Sequence, residues 1–123
     1  MNTRPPPGQK GREEEERAWR YLLAQGCKAR ERNYRCRHGE IDLIMDDGEA
    51  LVFIEVRYRA HPRFAGGAES VDRRKQAKLV ATAQHYLQGH RELARRPARF
   101  DVVALAPGDE LNGIEWIKNA FHD

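Results

Sequence analysis

The sequence predicts an α/β protein in which a mixed β-sheet is flanked by helices. Helical patterns over residues 13–25 and 70–88 are separated by three segments with strand-like patterns and followed by two more, which gives the order α-β-β-β-α-β-β. A chain of 123 residues is long enough for one hydrophobic core and too short for two independent ones. We therefore expect residues 12–123 to form a single domain, and residues 1–11, which include three prolines and no apolar run, to form a flexible arm.

The composition argues against a membrane-spanning chain. Charged residues make up 33% of the sequence and hydrophobic residues 40%, and no apolar run approaches the roughly 20 residues that a membrane helix needs. The first residues lack the apolar segment of a secretory signal, so we expect a cytoplasmic protein with no membrane partner. In that compartment Cys27 and Cys36 are expected to remain free thiols rather than to form a disulfide.

The first helix is predicted over residues 13–25. Acidic residues fill its first turn, where the helix dipole favours them, and Gly26 follows at a position typical of a helix end. Its apolar stripe consists of Ala18, Trp19 and Leu22. Glu15 extends that stripe at the helical spacing of i, i+3, i+4 and i+7, so it is the acid expected to point inward, with Glu14 as the neighbouring alternative.

Three strands are predicted between the two helices. Residues 27–37 alternate weakly and predict an edge strand, whereas residues 40–45 and 51–59 have strong strand patterns. The sequence Asp46-Asp47-Gly48-Glu49 between the last two is typical of a tight hairpin turn. A loop with a proline and two glycines is expected from residue 58 to residue 69.

The second helix is predicted to begin at an N-cap, Ser70, and to end at Gln88, before Gly89. Its apolar stripe is expected to consist of Val80, Ala83 and Leu87. Gln76 falls on the same face, one helical turn before the stripe begins. Two further strands are expected, over residues 100–105 and 114–118.

Two acids within the apolar strands, Asp42 and Glu55, carry the strongest functional signal, because burying an unpaired carboxylate is costly. We expect a two-residue turn at Asp47-Gly48, in which case Asp42 lies opposite Phe53. Glu55 then lies opposite Glu40, and the two acids become diagonal neighbours on one face, about 7 to 8 Å apart at their Cα atoms. An ordinary hairpin with one solvated polar face is the alternative explanation.

Carboxylates that converge in a partly dry site repel each other, so one of them must hold a proton or share a cation. Oxygen ligands without a suitably spaced histidine favour Mg²⁺ or Mn²⁺ over zinc. Such an ion binds one or two carboxylates together with substrate phosphates and activates a water molecule. Asp42 and Glu55 are therefore the predicted metal ligands, and phosphodiester hydrolysis is the predicted reaction class.

The net charge of +3 is small, but basic residues occur in clusters within residues 30–37, 57–63, 73–78 and 91–99. If several clusters converge on one surface, they can neutralise the phosphates of a nucleic acid. The candidates for this contact are Arg35, Arg37, Arg59, Arg63, Arg74 and Lys75. Solvated surface charge is the alternative, and scattered clusters would favour a structural partner protein with no nucleic-acid role.

Five short motifs add a second kind of information. They are Arg32-Asn33-x-Arg35, Gly39-Glu-Ile-Asp-Leu-Ile44, Phe53-Ile-Glu-Val56, Ala68-x-x-Val-Asp72 and Arg99-Phe-Asp-Val-Val103. In combination they resemble the YraN-like family of small bacterial proteins, which is similar to archaeal Holliday-junction resolvases, and the resemblance covers residues 8–121. Asp42 followed across a hairpin by Glu55-Val56-Arg57 also resembles the wider PD-(D/E)xK nuclease superfamily.

The resemblance implies a restriction-endonuclease-like fold with an αβββαβ core, metal-dependent endonuclease activity, and DNA, including branched DNA, as the substrate. It places the catalytic residues at Glu15, Asp42, Glu55, Arg57 and Gln76. It places the metal ligands at Asp42 and Glu55, with Mg²⁺ or Mn²⁺ as the cofactor. Because cutting two strands requires two sites, a homodimer is a further hypothesis.

Two departures from the family pattern bear on activity. The glycine-acid pair usual at the start of the first helix is interrupted, since Gly11 is followed by Arg12, and the helix acid matches only at Glu15. The pattern calls for lysine where this chain has Arg57. An arginine can clamp a phosphate, but it stays charged at any working pH and cannot act as a base. The alternative function is therefore a nucleic-acid-binding module on the nuclease fold with weak or no turnover.

Overall fold

The structure of the protein, a computed structural model, describes residues 7–58, 71–107 and 112–121, with side chains described from residue 12 onward. These residues form two α-helices, a 3₁₀ helix and five strands. In chain order they are α1 (Pro7–Ala24), β1 (Lys28–Cys36), β2 (Gly39–Asp47), β3 (Ala50–Tyr58), α2 (Arg73–Gln88), the 3₁₀ helix (Arg91–Leu93), β4 (Ala98–Leu105) and β5 (Ile114–Phe121). This order confirms the predicted succession of helices and strands. Within the described residues, no helix is long and apolar enough to cross a membrane.

The five strands form one mixed sheet in the order β1-β2-β3-β4-β5. Neighbouring strands are antiparallel except β3 and β4, which run parallel and flank α2 in the chain. The parallel register runs from Leu51 opposite Ala98 to Tyr58 opposite Leu105. A five-stranded mixed sheet flanked by two helices is consistent with the predicted restriction-endonuclease-like α/β fold.

The two helices cover opposite faces of the sheet, and each face has its own hydrophobic core. Side chains alternate along β3, so Val52 and Ile54 face α1, whereas Leu51 and Phe53 face α2. The helix residues in these cores are Ala18 and Leu22 of α1, and Leu79, Ala83 and Tyr86 of α2. The sheet is therefore the shared middle layer of the domain.

Both cysteines are free thiols, as predicted. Cys27 packs in the core on the α1 side, and burial raises the pKa of its thiol to about 11. A thiol in this setting behaves as a small apolar core residue and stays protonated at neutral pH.

Helix α1 is longer than predicted, because it begins at Pro7 instead of Glu13. Proline fits the first turn of a helix, where its missing N–H has no helical partner to lose. Residues 7–11, predicted as part of a flexible arm, therefore belong to the helix. The rest of the predicted arm, residues 1–6, lies outside the described residues.

The inward face and the end of α1 agree with the prediction. Ala18 and Leu22 are fully buried, and Glu15 on the same face is only 9% exposed, which confirms that this acid points inward. Gly26 has a φ of 100°, a left-handed conformation that glycine adopts without strain. The N–H of Cys27 then bonds back to the Leu22 carbonyl at 3.0 Å and closes the helix.

Helix α2 begins at Arg73, and its N-cap is Asp72 rather than Ser70. The Asp72 carboxylate accepts a hydrogen bond from the Lys75 N–H at 2.8 Å, as an N-cap side chain does. Ser70 itself lies outside the described residues. Aspartate and serine are both favourable caps, so the sequence alone could not decide between the two positions.

The buried face of α2 is rotated from the predicted stripe. Val80 and Leu87 are only partly buried. The buried residues are Leu79, Thr82, Ala83 and Tyr86. Thr82 can occupy this face because its hydroxyl donates a hydrogen bond to the Lys78 carbonyl at 2.7 Å. A hydropathy pattern counts threonine as polar and therefore misplaces the face.

The β2–β3 turn lies one residue later than predicted. The closing pair of the hairpin is Asp47 and Ala50, so the turn is Gly48-Glu49. Gly48 has a φ of 62°, which is the conformation that glycine favours at the first position of a type II′ turn. The predicted pairing of Asp42 with Phe53 is therefore wrong. The register moves by two residues, and each side chain keeps its predicted face because strands alternate with a period of two.

A buried hydrogen-bond network holds the end of the sheet that carries this turn. Asp101 of β4 has no exposed surface, and both of its carboxylate oxygens are paired. The donors are the Arg99 guanidinium at 3.0 Å, the Trp116 indole N–H at 2.8 Å and the Asn119 backbone N–H at 2.8 Å. Arg99 also contacts Asp47 at 2.6 Å, so the network connects β4, β5 and the hairpin turn.

Replacing Asp101 by alanine should lower the free energy of unfolding by about 3 kcal/mol, because the Arg99 guanidinium and the Trp116 indole lose a buried partner. Urea denaturation followed by tryptophan fluorescence measures this loss. Glu49→Ala, which removes an exposed carboxylate from the turn, is the control and should stay within about 0.5 kcal/mol of wild type. An Asp101→Ala protein as stable as this control would contradict the role of the network.

Candidate active site

The predicted acid pair lies at the open end of the β2–β3 hairpin, away from the turn. The paired part of the two strands ends at Leu43 and Ile54, and Asp42 and Glu55 are the next residues in register. Asp42 Oδ2 accepts a hydrogen bond from the Val56 N–H at 2.8 Å at this point. The two acids therefore lie across from each other rather than diagonally, which is a closer arrangement than predicted.

Helix α1 adds a third acid to this pair. The Glu15 side chain lies close enough to Asn33 of β1 and Asp42 of β2 for both to affect its pKa. Asn33 has a φ of 56°, a left-handed conformation that asparagine tolerates better than most residues. The strand backbone is thus distorted at the residue whose side chain meets Glu15.

Burial and the charge of neighbouring acids oppose ionisation of Asp42 and Glu15. The pKa of Asp42 is raised to about 8, mainly by burial and then by the charge of Glu55, although the Val56 N–H lowers it. Burial also raises the pKa of Glu15, while hydrogen bonding to Asn33 lowers it. Three acids in one partly dry site need either shared protons or a cation.

The donor atoms of the site fit a divalent cation. Glu15 Oε1 is buried and, among the described residues, has no hydrogen-bond partner. Carboxyl oxygens are the ligands that Mg²⁺ and Mn²⁺ prefer. Within the described part of the chain, no group of three or more His, Cys, Asp or Glu residues is arranged so that it could hold a metal ion. A site at Asp42 and Glu55 would therefore take its remaining oxygens from substrate and water, as Mg²⁺ sites commonly do.

Two cations from different elements converge on Glu55, which is only 5% exposed. Lys75 Nζ, from the first turn of α2, lies 2.5 Å from Glu55 Oε2. Arg57 Nη1, from β3, lies 3.5 Å from the same oxygen. The closer cation is thus the lysine of the helix, which is predicted from the sequence only as a phosphate contact.

Among the described residues, Gln76 is hydrogen-bonded to carbonyl groups at the start of α2. Its side-chain N–H donates to the Val71 carbonyl at 2.8 Å, and its backbone N–H bonds to the Asp72 carbonyl at 2.9 Å. These bonds stabilise the helix turn that carries Lys75. Of the five predicted catalytic residues, the structure brings four together, namely Glu15, Asp42, Glu55 and Arg57.

Sequence reasoning missed two features of this site. Asn33 lies within a quoted motif, and an asparagine inside a strand-like segment is itself a signal of left-handed backbone. The contact between Lys75 and Glu55 has no comparable signal. It joins residues on two separate elements, and neither periodicity nor spacing shows such a contact.

The predicted phosphate-contact residues differ in what surrounds them. Arg59 and Arg63 lie outside the described residues. Arg35 is exposed but forms an ion pair with Glu40 at 3.2 Å, and the two residues are also register partners on β1 and β2. The predicted pairing of Glu40 with Glu55 is wrong for a separate reason, because the register between β2 and β3 puts Glu55 opposite Asp42.

A basic surface adjoins the acid site. The β1–β2 turn packs on α2, since a Cβ atom at Gly39 would lie 3.7 Å from the Cβ atom of Lys78. We define the α2 basic surface as Arg37 of this turn together with Arg74, Lys75 and Lys78. Arg37, Arg74 and Lys78 are exposed, and none of them has an ion pair with another described residue. These cations are available to an anionic partner.

The basic cluster at residues 91–99 lies at the opposite end of the sheet and is partly neutralised. Arg96 contacts Asp46 at 3.0 Å, and Arg99 contacts Asp47 at 2.6 Å. Two exposed cations remain near that end, Arg91 and Arg95. The basic clusters therefore do not share one surface. Arg37 of the first cluster meets the cluster within residues 73–78 beside the acids, whereas Arg30 is paired with Asp46 at the turn end.

The fold and the site define a mixed-sheet α/β protein that gathers three carboxyl groups at the open end of its central hairpin. The chain belongs to the Uncharacterised protein family UPF0102, whose profile matches residues 14–105, a range that includes all three acids and Lys75. The UPF0102 protein of Stutzerimonas stutzeri is 49% identical over 111 residues, covering 90% of this chain and 92% of that protein. The UPF0102 protein of Methylococcus capsulatus is 54% identical over 101 residues, covering 82% and 80%. Membership of this family confirms the YraN-like part of the resemblance.

Replacing Asp42 by asparagine should stabilise the metal-free protein at neutral pH. The raised pKa of Asp42 means that the unfolded state ionises this carboxyl more readily than the folded state. The resulting cost to stability is absent below about pH 4 and grows as the pH rises towards the folded pKa. An amide keeps an acceptor for the Val56 N–H and removes this cost, so we expect a gain of about 1 kcal/mol or more near neutral pH.

Thermal and urea unfolding in the presence of a chelator, near neutral pH and at about pH 4, measure this gain. Asp46→Asn is the matched control on the same strand, because Asp46 is ion-paired with Arg30 at 2.7 Å and Arg96 at 3.0 Å. That variant should be less stable than wild type. If Asp42→Asn lost stability near neutral pH as the control does, repulsion between the carboxyl groups would be ruled out.

Proposed function

We propose that the protein is a divalent-metal-dependent endonuclease that hydrolyses phosphodiester bonds in DNA, as members of the PD-(D/E)xK superfamily do. The observation that carries the proposal is the convergence of Glu15, Asp42 and Glu55, from three separate elements, in one partly buried site. Repelling carboxyl groups lower stability unless a cation joins them, so a purely structural site gains nothing from collecting them. Perturbed acids of this kind are typical of functional sites.

Each residue of the site has its own role in the proposed hydrolysis. Asp42 and Glu55 would hold Mg²⁺ or Mn²⁺, beside the buried oxygen of Glu15 that has no partner among the described residues. When bound, such a cation supplies positive charge at the phosphate and an activated water. The water oxygen bonds to phosphorus, the phosphorus–oxygen bond to one sugar breaks, and the proton lost by the water is passed through solvent to the leaving oxygen. Arg57 and Lys75 stabilise the negative charge that develops on the phosphate.

The α2 basic surface supports DNA as the partner of this site. Arg74 and Lys78 present exposed charges on α2, the helix whose Lys75 contacts Glu55, and Arg37 adds a charge from the β1–β2 turn. Each phosphate that they neutralise adds salt-dependent affinity without reading the base sequence. The similarity of the family to archaeal Holliday-junction resolvases favours branched DNA, and a homodimer would bring two sites to two strands.

A nucleic-acid-binding module with weak or no turnover is the second candidate, and Arg57 is the observation that favours it. Arg57 stands where the nuclease pattern has lysine, and its Nη1 lies 3.5 Å from Glu55 Oε2. A guanidinium can hold a phosphate, but it cannot give up a proton to help activate water. The two candidates share one binding surface and differ in whether the phosphodiester bond is cut.

The endonuclease proposal predicts cutting of labelled single-stranded, duplex or four-way-junction DNA in the presence of Mg²⁺ or Mn²⁺. Asp42→Ala should reduce the rate by about 100-fold or more, because it removes charge stabilisation from the reacting phosphate. Denaturing gel electrophoresis of each substrate, with and without chelator, measures the effect. Glu49→Ala, at the far end of the same hairpin, is the control and should cut like wild type.

If none of these substrates is cut while salt-sensitive binding persists, hydrolysis is the wrong conclusion and the binding module takes its place. Arg57→Lys then separates a weakened enzyme from a module. Cleavage that appears or increases in this variant supports an enzyme limited by arginine, whereas intact binding without cleavage supports the module.

Removing two cations from the α2 basic surface should weaken DNA binding. We expect the double variant Arg37→Gln, Arg74→Gln to reduce the slope of log affinity against log salt by about 2, since each phosphate contact contributes about 0.9. Fluorescence anisotropy at several salt concentrations gives this slope. The matched control is Arg91→Gln with Arg95→Gln, two exposed cations at the opposite end. Equal losses in both double variants would mean that DNA has no preferred surface here.

A further inference from the structure

The feature that carries this inference is the contact between Glu55 and Lys75, a residue on a different element. Lys75 Nζ lies 2.5 Å from Glu55 Oε2, closer than Arg57 Nη1 at 3.5 Å. We infer that Lys75 is the positioning lysine of the active site: it orients Glu55 and offers its remaining donors to the substrate phosphate. The inference rests on the proposed function, because it names a residue that serves the same reaction.

Hydrogen bonds at the start of α2 fix the backbone that carries Lys75. The Asp72 carboxylate accepts the Lys75 backbone N–H at 2.8 Å, and the Asp72 carbonyl accepts the Gln76 N–H at 2.9 Å. The Gln76 side chain closes back onto the carbonyl of buried Val71 at 2.8 Å. These three bonds fix the backbone of the first helix turn, which carries Lys75, and α2 packs on the sheet through Leu79, Ala83 and Tyr86.

Burial distinguishes this ion pair from an exposed one, such as the pair between Arg20 and Glu16. Arg20 and Glu16 of α1 are both exposed, and an ion pair of that kind contributes little to stability. In contrast, the Glu55 side chain is only 6% exposed, whereas the Lys75 side chain is 43% exposed. Lys75 therefore reaches from solvent, where a substrate arrives, to a carboxylate inside the site.

The chemistry of the ammonium group suits this place. A lysine ammonium is a compact charge with three N–H donors, of which one is used by Glu55. The other donors remain for a phosphate oxygen or a water beside it. A helix residue thus supplies the group that the nuclease pattern places two positions after the strand acid, where this chain has Arg57. Arg57 is left to contact the phosphate as a planar fork.

The first test compares Lys75→Gln with Arg91→Gln, which removes an exposed cation at the opposite end of the sheet. Lys75→Gln should lower DNA cleavage by about 100-fold, as expected when a positioning group is lost, while Arg91→Gln should cut like wild type. Adding Arg57→Lys to Lys75→Gln should restore at least about tenfold, because the ammonium then approaches Glu55 from the strand. Wild-type cleavage by Lys75→Gln, with circular dichroism showing a folded protein, would overturn the inference.

The second test does not depend on turnover. An ammonium beside Glu55 repels a divalent cation, so Lys75→Gln should bind Mn²⁺ several-fold more tightly than wild type in isothermal titration calorimetry, and Arg91→Gln should not. If the wild type cuts no DNA but this difference appears, the proposed hydrolysis fails while the position of Lys75 holds. If the wild type cuts DNA and Lys75→Gln matches the control in both measurements, only the inference about Lys75 fails.

Discussion

The central physical feature of this protein is the cost of burying carboxyl groups close together. Glu15, Asp42 and Glu55 come from a helix and two strands, and burial, followed by the charge of Glu55, raises the pKa of Asp42 to about 8. Buried carboxyl groups this close together are typical of sites where a positively charged group neutralises them. Within the chain that counterpart is Lys75, assisted by Arg57, and from outside it would be a divalent cation. The site thus links stability, cation binding and chemistry through one set of charges.

The two ends of the sheet differ in how their acidic side chains are neutralised. At the turn end, Asp46, Asp47 and Asp101 are paired with arginines or fully hydrogen-bonded, and charge is neutralised within the protein. At the open end, the hairpin strands stop pairing, and α1 and α2 approach the acids from opposite faces. The acids that repel one another therefore lie where β2 and β3 stop pairing, beside a surface with exposed cations. The turn end therefore stabilises the fold, and the open end is the one suited to contact a phosphate backbone.

Local patterns in the sequence were sufficient for much of the fold and for the core of the site. The order of elements, the inward face of Glu15 and the shared face of Asp42 and Glu55 follow from periods of 3.6 and two residues. The hairpin register was wrong by two positions, but that error preserved the face because the strand period is two. The α2 stripe and the Lys75 contact could not be predicted. The first depends on a hydroxyl satisfied inside the helix at Thr82, and the second on packing between distant segments.

The position of a bound cation would show directly whether these carboxyl groups form a metal site. Crystals soaked in Mn²⁺ and measured near the manganese absorption edge should show an anomalous peak about 2 Å from carboxyl oxygens of Asp42 and Glu55. We expect a peak at this place in crystals of the wild type and none in crystals of Asp42→Asn. Clear density for the three carboxyl groups with no peak between them, or a peak at another part of the surface, would contradict this expectation.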